Sequence, residues 1–220
     1  MVDVTAKAAT TLSAVPVDDL VSFPFGADRR VAASWFKRLF DAVIAFVVLL
    51  LFCPLLLTIA VATRLESGES ALVSQKRTGF RGRVFTLYRF RTSVLAEPSD
   101  RPQRPQTTFV GQMLLALSLD ELPQIWNVLR GDMSLVGPRP HDVADDEINV
   151  RLVDRYAERF RARPGLTGLS QISGLRGEAH QVELMRERIA ADNRYIENWS
   201  FALDLAILAR TATVLRDHQV

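Results

Sequence analysis

The sequence predicts an α+β protein, mainly helical, with one Pro-kinked re-entrant membrane helix, a small β-hairpin and packed or interfacial helices. Three observations predict it. An uncharged stretch of 22 residues runs from Ala42 to Thr63. Two segments that alternate apolar and polar residues flank the glycine-bearing turn Thr78–Gly82. Beyond them, apolar residues recur at helical spacing. A chain of 220 residues holds one compact domain with an appendage, and 48% hydrophobic against 24% charged residues excludes a disordered chain. The single cysteine, Cys53, cannot form an intrachain disulfide, which points to a reducing compartment.

Residues 1–30 mix small and polar types without a period or a targeting pattern and are read as a flexible tail. The membrane helix is placed at residues 31–65. As a straight helix its uncharged part measures about 33 Å, enough to cross a hydrocarbon core of about 30 Å. Pro54 stands at its middle, where the missing N–H and the ring predict a break or bend. Basic residues flank both sides, Arg29, Arg30, Lys37 and Arg38 before and Arg64, Lys76, Arg77, Arg81 and Arg83 after, so charge retains both ends on one side. A helix entering and leaving the same leaflet satisfies this; a single-span anchor is the commoner arrangement on composition alone. Residues 66–220 form the main domain. Its segments Ser70–Arg77 and Arg83–Phe90 predict the hairpin, and Val94–Thr108, with Pro98, Pro102 and Pro105, predicts a loop. Val143–Phe160 carries Ile148, Leu152, Tyr156 and Phe160 at i+4 spacing and predicts one helix. Val182–Asn198 predicts another, and an apolar C-terminal helix from Trp199 could lie on protein or at the bilayer surface.

The chemistry concentrates in Ser118–Gln124, SLDELPQ. Ser118 and Glu121 have capping-box spacing, Pro123 is tolerated in a first turn and Gly131 supplies a stop, so Asp120 and Glu121 are placed at a helix N-terminus. Asp120 as a simple cap is one reading. The other is a pair of carboxylates with divided roles, kept ionised by the helix dipole, one a nucleophile for phosphorus and one a Mg²⁺ ligand. Arg139, held between Pro138 and Pro140, suits phosphate recognition, or is an ordinary solvated arginine. Arg163 precedes a Pro164–Gly165 turn and is either exposed or aimed at an anion. Residues 64–91 hold seven basic and two acidic side chains, which attract lipid headgroups or a phosphorylated substrate, or only set topology; lipid adjacency makes nucleic acid an unneeded partner. The acids at Asp142, Asp145, Asp146 and Glu147 read as a helix start, since consecutive acids do not converge on one metal. His141, His180 and His218 lack metal-ligand spacing, and nucleotide P-loop, dinucleotide-fold, zinc and serine-hydrolase motifs are absent.

The ordered set of Lys37–Asp41, Gln75–Phe85, Arg89–Thr92, Ser118–Gln124, Gly131–Pro140, Arg163–Leu169 and Asn198–Ser200 resembles the bacterial sugar transferase family, the monotopic phosphoglycosyl transferases, over roughly Ser34 to Leu215. The resemblance implies a re-entrant helix, a catalytic domain on the cytoplasmic face of the bacterial inner membrane, and transfer of a sugar 1-phosphate from a UDP-sugar to undecaprenyl phosphate with release of UMP. It implies Asp120 as nucleophile, through a phosphosugar-aspartyl intermediate, and Glu121 as the Mg²⁺ ligand. Arg139 would clamp phosphate, with Arg91, Arg77 and Arg163 as further phosphate contacts. Partners implied are the UDP-sugar, undecaprenyl phosphate and membrane lipid, with a second copy of the chain or polysaccharide assembly proteins left open. The chain departs from the family at Arg89, where lysine is usual, at Ser93, at Cys53 before Pro54, and in lacking any basic residue from Thr107 to Glu121. That deficit motivates an alternative, a catalytically silent scaffold or regulator of a polysaccharide assembly complex.

Overall fold

The computed structural model describes residues 34–94, 105–175 and 182–217; the predicted tail, Pro98, Pro102, His180 and His218 lie outside them. The first helix, α1, spans Trp35–Ser67 and runs unbroken through Pro54. Ser34 caps its start by accepting from the Lys37 amide, and Gly68, at φ 69°, ends it in the left-handed conformation that glycine adopts without strain. Among the described residues it is the one helix long and apolar enough to cross a membrane. Its two ends pack on the same domain, with Lys37, Asp41 and Ala45 buried at one end and Ile59 and Thr63 at the other. Between them Leu50 to Leu55 are all exposed, Leu51 to 71%.

The hairpin forms as read, with β1 Leu72–Thr78 antiparallel to β2 Val84–Phe90. Arg77 pairs with Phe85 and Gln75 with Leu87, so the two-residue period of a strand puts Arg77, Leu87 and Arg89 on one face. The expected loop from Val94 to Thr108 begins and ends in a short ladder, β3 Ser93–Val94 with β4 Gln106–Thr107. Next come α2 Phe109–Ala116, a 3₁₀ turn at Leu119–Glu121, and α3 Gln124–Arg130. Glu66 at the end of α1 accepts from the Phe109 and Val110 amides at 2.6 and 2.9 Å, and Thr108 accepts from Gly111. Together they satisfy donors that a helix start leaves open.

β5 Ser134–Val136 and β6 Gly165–Thr167 form a parallel pair, where a turn at Pro164–Gly165 was expected. The backbones approach so closely that a methyl group on Gly165 would sit 2.1 Å from the Gly137 nitrogen. The single helix expected over 143–160 is two elements, α4 Val143–Leu152 and a 3₁₀ helix Tyr156–Arg161, parted where Arg155 takes φ 58°. The break turns Tyr156 and Phe160 into the core while Ile148 and Leu152 stay exposed. A short α5 Leu169–Ile172 leads to α6 Val182–Glu197 and α7 Phe201–Asp217, as read.

Lys37, expected as a topology-setting flank, is instead buried, donating to Asp204 of α7 at 2.7 Å. Asp204 also accepts from Tyr195 at 2.7 Å and Trp199 at 3.0 Å, while Asp41 accepts from Ser134 and the Leu135 amide. The N-terminal half of α1 is thereby fastened to α6, α7 and β5. Removing one member of a buried pair leaves a charge without compensation, a cost of roughly 3–5 kcal/mol. We therefore expect Lys37→Met alone to lower thermal unfolding temperature strongly, and Lys37→Met with Asp204→Leu to recover part of the loss.

Candidate active site

Asn127 fixes how α3 meets the hairpin. Its carboxamide donates to Thr86 O at 2.7 Å and accepts from the Tyr88 amide at 3.2 Å, filling both groups of a strand edge as a neighbouring strand would. This docking sets the 3₁₀ turn carrying Asp120 and Glu121 against Arg89 on β2. Arg89 Nη2 donates to Asp120 Oδ2 at 2.6 Å and to Glu121 Oε1 at 3.0 Å, and Arg139 Nη2 donates to the same Glu121 oxygen at 3.0 Å.

The local fold differs from the predicted cap. Ser118 takes the left-handed conformation, φ 54°, with no capping bond, and the acids sit in the 3₁₀ turn, one turn ahead of α3. Helix-dipole stabilisation is therefore not what governs Asp120. It is 4% exposed, and burial pushes its carboxyl above the usual carboxylate range; Arg89 pulls the other way and Glu121 adds to the rise.

Glu121, Arg89 and Arg139 line a cleft of about 800 Å³, with Asp120 behind Arg89. Arg77 and Arg188 line it too. Arg77 holds Asp142 at 2.9 Å, and burial lowers its pKa, helped by repulsion from Arg89 and Arg139. Arg188 is lowered by burial and then by Arg139. Mutually repelling guanidiniums around one space make an anion-binding surface. The opposite wall is the face Asp145, Ile148, Asn149 and Leu152 of α4, at i, i+3, i+4 and i+7 spacing.

Arg139 is held from behind. Arg159, buried beside Asp146 and Asp192, donates to the Arg139 carbonyl. His141 Nδ1 lies 2.7 Å from the Tyr156 hydroxyl, and burial holds this histidine well below its ordinary pKa, hence neutral. The acids from Asp142 to Glu147 diverge: Asp146 is buried against Tyr156, Asp142 meets Arg77 and Asp145 faces the cleft.

Two arginines from the sequence reading do not reach the cleft. Arg91 donates to Ser70 O at 2.8 Å and pairs with Glu69 at 2.9 Å. Arg163 donates to Gly131 O at 3.1 Å and lies over the Phe80 ring. Sequence reasoning placed Arg89 only within the basic cluster that attracts headgroups or a phosphorylated substrate, and assigned no role to Gln124 or Arg188. Arg89 was signalled by its strand period with Leu87, and Gln124 by its place three residues after Glu121; nothing local marked Arg188.

The family model described as Bacterial sugar transferase matches residues 32–218. The UDP-glucose:undecaprenyl-phosphate glucose-1-phosphate transferase of Caulobacter vibrioides is 49% identical over 197 residues, 87% of this chain and 74% of that protein. The Klebsiella pneumoniae protein of the same name is 40% identical over 205 residues, 91% of this chain but 43% of its own length, so the chain spans less than half of that relative. The exopolysaccharide production protein ExoY of Rhizobium meliloti is 40% identical over 198 residues, covering 80% of this chain and 83% of that one.

The geometry sorts the arginines by a binding measurement. Charge-assisted hydrogen bonds contribute roughly 1.5–3 kcal/mol each, about tenfold or more in affinity. Arg89→Gln and Arg139→Gln are expected to weaken inorganic pyrophosphate by that factor in calorimetric titration, and Arg91→Gln and Arg163→Gln to leave it unchanged.

Proposed function

The chain belongs to the bacterial sugar transferase family, and from that premise we propose that it transfers a hexose 1-phosphate from a UDP-hexose to undecaprenyl phosphate. The observation that carries this reading is the Asp120–Glu121 pair held by Arg89 and Arg139 at an arginine-lined cleft. Such a cleft receives a diphosphate, and the carboxylates supply the nucleophile that phosphoryl transfer requires. The donor's phosphates draw Arg89 and Arg139 off the carboxylates. An Asp120 oxygen then bonds to the sugar-bearing phosphorus as the anhydride bond to UMP breaks, the bonding pair leaving with UMP. The phosphate oxygen of undecaprenyl phosphate attacks the same phosphorus, and Asp120 departs as a carboxylate. Arg89 and Arg139 stabilise the charge that develops in both steps.

Glu121, with Asp120 beside it, presents hard oxygen donors, and among the described residues no three side chains able to ligate a metal gather. That donor set fits Mg²⁺, which takes one or two carboxylates and completes its shell with phosphate and water oxygens. Bound there, it would neutralise diphosphate charge. The arginine deficit before Asp120 does not favour the silent-scaffold reading, since Arg89 brings a cation to Asp120 from another element.

The packing of α1 supports the membrane part of this reading. Both of its ends are fastened to one domain, and a helix crossing the bilayer would carry one of those ends away from it. The exposed Leu50–Leu55 stretch around Pro54 fits insertion into one leaflet, and the family resemblance implies the cytoplasmic face of the inner membrane for the domain.

Asp120→Asn should abolish UMP release from UDP-hexose, undecaprenyl phosphate and Mg²⁺ in nanodiscs, with membrane association retained; turnover by that variant would remove Asp120 as nucleophile. In a Cys53→Ser background, a cysteine placed before Ser34 should react with an impermeant thiol reagent only from the side that holds Asp120. Reaction from the opposite side would establish a span.

A further inference from the structure

Gln124 opens α3 and lines the cleft beside Glu121. It is 5% exposed, yet its carboxamide makes no hydrogen bond to any described residue. Neither of its polar atoms is among those sealed in the core without a partner, so they keep the little contact with open space that the residue has, and that space is the cleft. A buried amide left unpaired costs free energy that a bound ligand can return. Neighbouring Asn127, one turn on, shows the contrast, with both ends of its carboxamide used by β2.

The ligand group that suits Gln124 follows from the inventory around it. Phosphate oxygens accept hydrogen bonds only, and Arg77, Arg89 and Arg139 already offer charged donors to them. A carboxamide carries a donor and an acceptor, and a hydroxyl is the group that matches both at once. Resting on the donor reading above, the atoms next to the phosphorus under attack by Asp120 belong to the sugar. We infer that Gln124 binds a hydroxyl of the transferred hexose, and so contributes to the choice of sugar in a site whose arginines read only phosphate.

The test uses the full chain in nanodiscs, a panel of UDP-hexoses, and the monodeoxy counterparts of the best donor. Gln124→Met should lower kcat/KM about tenfold or more on that donor, the cost of leaving a substrate hydroxyl unmatched. It should cause no further loss on the one deoxy donor that lacks the hydroxyl in question. Gln124→Glu should stay within a few-fold of the parent, because a carboxylate still accepts from a hydroxyl. Pyrophosphate affinity should match the unaltered protein in Gln124→Met, which keeps the charge of the cleft and so also reports a folded site. A Gln124→Glu loss far beyond that of Gln124→Met assigns the carboxamide to phosphate and overturns the inference. An equal loss on every deoxy donor makes Gln124 structural and overturns it as well. Absence of UMP release by the unaltered chain from every UDP-hexose defeats the donor reading itself, and the inference with it.

Discussion

The buried contact between Lys37 and Asp204 is the constraint on which the architecture turns. An apolar helix that exposes most of its length has little hydrophobic reason to choose one face of a domain over another. A charged pair excluded from water has a strong reason, since each partner is costly without the other. Tyr195 and Trp199 complete the bonding of Asp204, and Asp41 joins β5 one helical turn from Lys37. Arg38, between them, donates to the Val128 and Leu129 carbonyls at the end of α3, both at 2.6 Å. The start of α1 therefore orients α3, the helix that follows the turn bearing Asp120 and Glu121.

A second electrostatic balance governs the cleft. Asp120 is buried enough to resist ionisation and is countered by Arg89; burial lowers the pKa of Arg77 and of Arg188, and Arg139 repels both. An anion in the cleft would ease both, as the proposed reaction requires. The network of Arg159, Asp146 and Asp192 buttresses the Arg139 backbone, which places the charges of the cleft on a rigid support.

The parts of the fold legible in the sequence were those with a sustained period. The apolar run, the alternating hairpin and helices α6 and α7 extend far enough for pattern to decide them. β5 and β6, three residues each, are too short to show a period, and their pairing depends on a contact across about 30 positions. The split between α4 and the 3₁₀ helix was hidden because i+4 spacing continues through Arg155, whose backbone departs from it. At the site, Asp120, Glu121 and Arg139 stood out by local motif. Arg89 and Gln124 lay within motifs as well, but their individual roles come from what tertiary packing sets beside them. Lys37 was misplaced for the same reason: next to an apolar helix, a lysine bonded within the protein and one facing lipid headgroups read identically.

The close approach of Gly137, Gly165 and Gly168 also bears on how such a chain can change. A methyl group at Gly137 would meet Arg163 O at 2.3 Å, and one at Gly168 would meet Gly137 O at 2.2 Å. Three positions in two separate segments are thus closed to substitution by a single packing event. The segment bearing Arg139 and the segment after Arg163 must be inherited as a matched set, so exchange of either one alone between diverged relatives would yield a misfit in the support of the cleft, whatever the compatibility of the residues that line it.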